Sequence, residues 1–150
     1  MRLKKQTDYA LRVLMYLTIN QESSATVKEI ADSFEISQNH LMKVVQNLKH
    51  LGYLHTVRGN KGGIWLGKPP GEIIIGQALR DLGEENELAE CFIQASNCRI
   101  TAQCKLKHAF KKANDAFFAV LDDVSLADIQ GNPAALTQLL NIPESSFARG

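Results

Sequence analysis

The chain is 150 residues long, 45% hydrophobic and 22% charged, with four prolines and ten glycines, which fits one globular domain with room for a helical extension and excludes a large two-domain enzyme, a disordered chain and a collagen. Its net charge of +1 is unevenly divided: residues 1–68 carry ten Lys and Arg against five Asp and Glu, whereas residues 69–150 balance at −4, so one end of the molecule suits a polyanion. No run approaches the roughly 18 apolar residues that span a bilayer, and the polar start from Met1 to Tyr9 lacks a secretory pattern, so a cytoplasmic location without membrane contact is expected.

Ala10, Val13, Leu14 and Leu17 recur at helical spacing and predict a first helix from about Thr7 to Ile19, with Asp8 in its first turn. Gln21 to Ala25 reads as a polar connection. Thr26 stands three residues before Glu29, the pattern of a capping box, and Ile30, Ala31 and Phe34 give a short second helix its apolar face. Ser37 is placed to cap a third helix, in which Leu41, Val44, Val45 and Leu48 face inward. Gly52 suits the left-handed position just beyond its end.

A short helix, a tight turn and a second helix form helix-turn-helix spacing, whose second member enters the major groove by its N-terminal end. Ser37, Gln38, Asn39, His40 and Lys43 are the candidate contacts there, with donors and acceptors suited to base edges or phosphates. A plain helical hairpin is the alternative, and the following segment argues against it. Tyr53–Val57 and Ile64–Leu66 read as paired strands around Arg58-Gly59-Asn60-Lys61-Gly62-Gly63. Arg58 and Lys61 make that tip basic, as a wing entering the minor groove requires. The glycines lack Walker spacing, so they do not mark a nucleotide site.

Pro69-Pro70-Gly71 ends this unit, which gives residues 1–68 as a winged helix-turn-helix, 69–105 as a connecting helix with a ligand-binding loop, and 106–150 as a dimerisation helix with C-terminal helices. Ile75 to Leu82 is expected to be helical. Glu84, Glu85, Glu87 and Glu90 lead into a segment that holds all three cysteines, Cys91, Cys98 and Cys104. An odd number argues against a disulfide framework, and no C-x2–4-C pair marks a zinc knuckle. Thiolates are soft ligands that select Zn, Cu(I) or iron–sulfur centres. Asn97, Arg99, Gln103 and Lys105 around them do not resemble core. A fourth ligand is left open among His108, a carboxylate and water, and a thiol-only redox switch is an alternative.

Leu106, Phe110, Ala113, Phe117 and Val120 follow a 4-3-4-3 rhythm, widened by Ala109, Ala116, Phe118 and Leu121, which predicts a long helix packed along another. The N-terminal domain can cover part of this stripe and a second copy the rest, and a homodimer matches a palindromic site on double-stranded DNA. Ser125 and Asp128 are placed to cap a short helix. Asn132-Pro133 starts a last one with Leu136, Leu139 and Leu140 inward, and Ser145 to Gly150 is expected to fray. The fold class is therefore mainly α with a small β-hairpin wing. No catalytic constellation is present, and His40, His50 and His55 read as polar contacts.

The stretches Thr7-Asp8-Tyr9-Ala10-Leu11-Arg12, Ser37-Gln38-Asn39-His40-Leu41-Met42-Lys43-Val44, Val57-Arg58-Gly59-Asn60-Lys61-Gly62-Gly63-Ile64, Cys98-Arg99-Ile100-Thr101 and Cys104-Lys105-Leu106 resemble the winged-helix iron–sulfur repressors, the IscR-like family, over about Leu3 to Leu140. Within it they resemble the nitric-oxide-sensing branch. The resemblance implies a homodimeric repressor with one cluster per subunit, [4Fe-4S] ahead of [2Fe-2S], released from palindromic operator DNA when nitric oxide reacts with the cluster. It implies Cys91, Cys98 and Cys104 as ligands, with Asp8 reaching across from the other subunit. A regulator of cluster biogenesis in the same family takes a histidine three residues after the last cysteine; Lys107 stands there and His108 is one place late. The remaining alternatives are a thiol-redox or zinc-dependent repressor, and a cluster scaffold or enzyme that binds no DNA.

Overall fold

A computed structural model describes residues 2–84, 89–92, 97–144 and 146. Helix α1 runs over Lys5–Ile19, α2 over Val27–Phe34 and α3 over Gln38–His50; strands β1 (Leu54–Val57) and β2 (Gly63–Leu66) follow, then α4 (Ile75–Asp81), α5 (Lys105–Asp122) and α6 (Pro133–Leu139). Ala10, Val13, Leu14 and Leu17 are buried against the inward face of α3, where Leu41, Val44, Val45 and Leu48 are buried in turn. Full burial of each such side chain contributes about 1.5–3 kcal/mol. This face fixes how α3 sits and therefore which of its side chains face outward.

The local signals explain the boundaries. The Thr26 hydroxyl accepts the Glu29 N–H, and the Glu29 carboxylate accepts the Thr26 N–H, completing the capping box of α2. Ser37 Oγ accepts the His40 N–H at 3.4 Å at the start of α3. Gly52 takes φ +84° beyond its end, a conformation without cost for glycine. Between α2 and α3, Glu35 adopts φ 54°, which closes the helix-turn-helix corner without a glycine.

The strands pair antiparallel in the register Leu54↔Leu66, His55↔Trp65, Thr56↔Ile64 and Val57↔Gly63. The connection before α2, expected to be merely polar, also joins the hairpin: Ala25 and Ile64 exchange backbone hydrogen bonds of 3.1 and 2.7 Å. Gly63 permits this approach, since a Cβ there would lie 2.3 Å from that of Ser24.

The rear half is tied together by a second isolated bridge, Ile74↔Ser125. Ile75 N–H donates to Val124 O at 2.9 Å and Leu126 N–H to Ile73 O at 2.8 Å. Beside it, Arg80 donates from Nη1 and Nη2 to the two carboxylate oxygens of Asp122 at 2.5 and 2.8 Å, with its guanidinium 4.5 Å above the Phe118 ring. Gly76 lies directly beneath, where a Cβ would fall 2.1 Å from Asp122 Oδ1. Helix α5 rests on α4 through this contact.

Two expectations for the C-terminal part need correction. Ser125 and Asp128 do exchange capping hydrogen bonds, with Ser125 N–H donating to Asp128 Oδ2 at 2.8 Å and Asp128 N–H donating to Ser125 Oγ at 3.2 Å. They close a turn, however, and not a helix: the backbone bonds there run Asp128 N–H to Ser125 O and Gln130 N–H to Ala127 O, and the next helix starts only at Pro133. Leu136 and Leu140 pack against the core as expected, but Leu139 is 78% exposed; one residue before Leu140, it lies about a quarter-turn off the face that meets the core. Position 145 and positions 147–150, where fraying was expected, lie outside the described residues, as do Glu85 and Glu87.

The hydrogen bonds from Arg80 hold the Asp122 carboxyl below its ordinary range. A carboxyl lowered in the folded state stabilises above the unfolded value and loses that contribution as pH falls through the folded one. Urea midpoints at stepped pH should therefore fall more steeply on acidification in the wild type than in Asp122→Asn, whereas parallel profiles would show that the pair does not brace α4 on α5.

Candidate functional site

Helix α3 turns two faces in opposite directions. Leu41, Val44, Val45 and Leu48 are buried, while Gln38, Asn39, His40, Lys43, Gln46 and Asn47 are exposed, with Ser37 exposed at the cap. The outward side chains at its N-terminal end are thus the ones that the sequence pattern selects for base edges and phosphates. Gln46 and Asn47 extend the same face by a turn. Their helical spacing from Lys43 and Asn39 was legible, but they carry no motif.

Arg58 and Lys61 are both exposed on the hairpin tip. The tip is closed by Gly62 N–H donating to Gly59 O at 2.9 Å, with Gly59 at φ +109°. A Cβ on Gly62 would stand 2.2 Å from the Val57 carbonyl oxygen, so the turn demands glycine there. The wing root is anchored by Tyr53, a buried residue whose hydroxyl donates to Asp81 Oδ2 on α4 at 2.5 Å. Burial, and then the bond to the Asp81 carboxylate, push the Tyr53 hydroxyl above its ordinary titration range, so it stays a donor. Lys68 lies 4.9 Å from the centre of the same ring. The hairpin therefore projects from a fixed base.

The cysteines do not belong to the core. Cys91 lies half-buried in a helical turn over Glu90–Phe92, Cys98 is exposed, and Cys104 is half-buried at the N-cap of α5; none forms a disulfide. Cys104 Sγ accepts the Lys107 N–H at 3.4 Å, capping the first turn of α5. Thr101 Oγ1 donates to the Cys98 carbonyl at 2.8 Å. Among the described residues no three His, Cys, Asp or Glu side chains converge within one chain as a metal site. Positions 93–96, between Cys91 and Cys98, lie outside the described residues.

Asp8 is on the first turn of α1, with its carboxylate 2.9 Å from Arg12 Nη2. Both side chains are about half exposed, and an exposed pair at this spacing contributes only about 0.3–0.5 kcal/mol, so Asp8 can exchange Arg12 for a stronger partner at little cost. The guanidinium of Arg12 also lies 5.7 Å from the ring of Phe34 on α2. This pairing was visible in the i, i+4 spacing but was not singled out. His108 is exposed on α5.

The stripe on α5 is largely uncovered. Leu106, Phe110 and Val120 are 59%, 38% and 67% exposed, while Phe118 is buried and Phe117 and Leu121 pack against the core. Among the described residues no helix is long and apolar enough to cross a membrane.

Comparison with known proteins places these features in a lineage. The family model Rrf2, described as an iron-dependent transcriptional regulator, matches residues 3–132. The chain is 46% identical to the HTH-type transcriptional regulator NsrR of Bacillus licheniformis, covering 94% of this chain and 100% of that protein. It is 44% identical to NsrR of Geobacillus kaustophilus, covering 93% and 97%. Among solved structures, the oxidised form of Staphylococcus aureus CymR superposes with a TM-score of 0.70 at 25% identity, covering 88% of this chain and 98% of that one. T. potens IscR gives 0.68 at 22% identity, covering 100% and 94%.

Each cation that meets a phosphate releases counterions, so its removal lowers the salt slope of DNA binding by about one unit. Arg58→Ala and Lys61→Ala, measured together across a salt series, should lower the slope by about two units and weaken specific and nonspecific DNA alike; an unchanged slope would place the wing away from DNA.

Proposed function

The chain belongs to the Rrf2 family, a transcriptional regulator and not an enzyme, and from that premise we propose that it is a homodimeric, nitric-oxide-responsive repressor of palindromic operators that carries an iron–sulfur cluster, [4Fe-4S] ahead of [2Fe-2S]. The observation that carries this reading is the likeness over nearly the full length to regulators named NsrR, at 44–46% identity in the two relatives above.

The donor set fits such a cluster. Three thiols lie outside the core on one segment, none of them in a disulfide, and one of them caps α5 by accepting the Lys107 N–H. Soft thiolates are the ligands iron–sulfur centres select. Cys91, Cys98 and Cys104 would hold the cluster, with Asp8 of the other subunit as the fourth ligand. When bound, the cluster supplies iron as the reaction site for nitric oxide.

The protein residues then account for transmission. Asp8 stands on α1, whose buried face packs directly on α3. A displacement of the first turn of α1 is passed to Gln38, Asn39, His40 and Lys43 because the close-packed contact between the helices does not deform smoothly. Gln38, Asn39 and His40 read base edges in the major groove, Ser37 and Lys43 hold phosphates, and Arg58 and Lys61 enter the minor groove. Leu106, Phe110, Ala113, Phe117 and Val120 provide the face for the second subunit. The two-fold axis this creates presents two reading helices to a palindrome. A regulator of this kind works in the cytoplasm.

Anaerobic protein with Cys91→Ala, Cys98→Ala or Cys104→Ala should lose the visible absorption of the cluster together with specific operator binding. Asp8→Ala should assemble the cluster poorly, and His108→Ala should resemble wild type. If Asp8→Ala is normal and His108→Ala is bleached, the ligand set is the other one; if all three cysteine variants repress and respond to nitric oxide, the reading fails.

Charges placed at the exposed Phe110 and Val120 should break the dimer. Phe110→Glu with Val120→Glu is expected to sediment as a monomer, and a soluble double variant that remains fully dimeric would remove α5 from the interface.

A further inference from the structure

Lys4 joins two helix ends that lie 80 residues apart in the chain. Its Nζ donates to the Gly83 carbonyl at 2.7 Å, and its backbone N–H donates to Glu84 Oε1 at 2.9 Å. At this point α4 ends in a left-handed turn, with Gly83 at φ +83°, Gly83 N–H donating to Arg80 O at 2.8 Å and Glu84 N–H donating to Leu79 O at 3.0 Å. That is a Schellman end. Helix α1 has no capping side chain of its own, and Lys4 is its N-cap residue. Each helix end thus receives from the other the charge that its dipole favours: an ammonium at the C-terminus of α4, a carboxylate at the N-terminus of α1.

The clasp sits where three functional elements meet. The Lys4 carbonyl accepts the Asp8 N–H at 3.0 Å, so the turn that carries Asp8 is built on Lys4. Lys4, Gln6, Thr7 and Leu82 line a cavity of about 80 Å³ whose other wall is formed by Lys43 and Asn47 of α3. Glu84 begins the segment that reaches Cys91 seven residues later. A side chain and a backbone amide of one residue therefore connect the turn bearing Asp8 and the approach to the cysteines, beside the reading helix.

We propose that Lys4 and Glu84 are positioning residues that couple the state of the cysteine segment to the placement of α1 and α3, an inference that rests on the function proposed above. The clasp makes the C-terminal end of α4, through Gly83 and Glu84, and the first turn of α1 move as one body. Without it, the cysteine segment can change without moving the reading helix.

The test compares full-length wild type with Lys4→Met, Glu84→Ala and Glu84→Gln, measuring operator affinity in the cluster-loaded and metal-free forms. In wild type the two affinities should differ by an allosteric factor of about 5–150. In Lys4→Met and Glu84→Ala that ratio should collapse to within about twofold of one, while Glu84→Gln, which keeps an acceptor for the Lys4 N–H, should retain most of it. A ratio left intact while both affinities fall together would reduce the clasp to a structural contact and overturn the proposal. Amide exchange in the metal-free protein provides a readout independent of the cluster. The Asp8 amide and the Glu84 amide should exchange about tenfold faster in Lys4→Met as the helix ends fray, and unchanged exchange would contradict the clasp. If wild type binds the operator equally with and without the cluster, the function proposed above fails, and the exchange result still decides whether the clasp exists.

Discussion

The structure depends on the packing of α1 against α3. Ala10, Val13, Leu14 and Leu17 on one side and Leu41, Val44, Val45 and Leu48 on the other remove both inner faces from water. That burial dictates what remains outside. On α3 the outward residues are Gln38, Asn39, His40 and Lys43. On the exposed part of α1 they are Lys4, Lys5, Asp8 and Arg12, or half-buried in the last two cases. A helix that is core on one face and carries the ion pair of Asp8 on the other cannot shift at one face alone. In the function proposed above, the same contact that stabilises the fold is the route from Asp8 to the reading helix.

The rear half buries Ile73, Ile75, Ala78, Leu79, Phe118 and Leu126 in the core and adds polar contacts to them. The two-pronged bond of Arg80 to Asp122 and the backbone bridge between Ile74 and Ser125 fasten α5 to α4. Tyr53 then fastens α4 to the wing root through Asp81. Helix α4 stands between the hairpin and α5, and its own C-terminal end is fastened to α1. A helix of seven residues has little independent stability, so its form comes from these neighbours. The apolar face of α5 at Leu106, Phe110 and Val120 is left open by this chain.

Much of this was legible in the sequence because it is local. The capping box at Thr26 and Glu29, the Ser37 cap, the left-handed Gly52 and the 4-3-4-3 rhythm of α5 each rest on residues within a turn or two of one another, and each forms where its pattern places it. The exposure of Ser37, Gln38, Asn39, His40 and Lys43 follows from the helical periodicity, and that of Arg58 and Lys61 from their place in the hairpin turn. What was not legible is long-range. Nothing local in Ala25 announces its pairing with Ile64, and nothing in Lys4 announces Gly83 and Glu84. Leu139 shows the opposite limit: a leucine at a plausible spacing stays in water because α6 is too short for its whole apolar set to reach the core. The cysteines announce donor chemistry but not a geometry, and Asp8 enters the proposed ligand set only through family resemblance.

The most direct test of the account is operator binding by anaerobically purified protein of measured iron and sulfide content, followed through a titration with nitric oxide. The account predicts that the cluster-loaded dimer binds a palindromic operator tightly and in a salt-dependent manner, and that binding is lost in step with the cluster's visible absorption as nitric oxide is added. Operator binding that persists after the absorption has gone, or that is equally tight in protein containing neither iron nor sulfide, would contradict it.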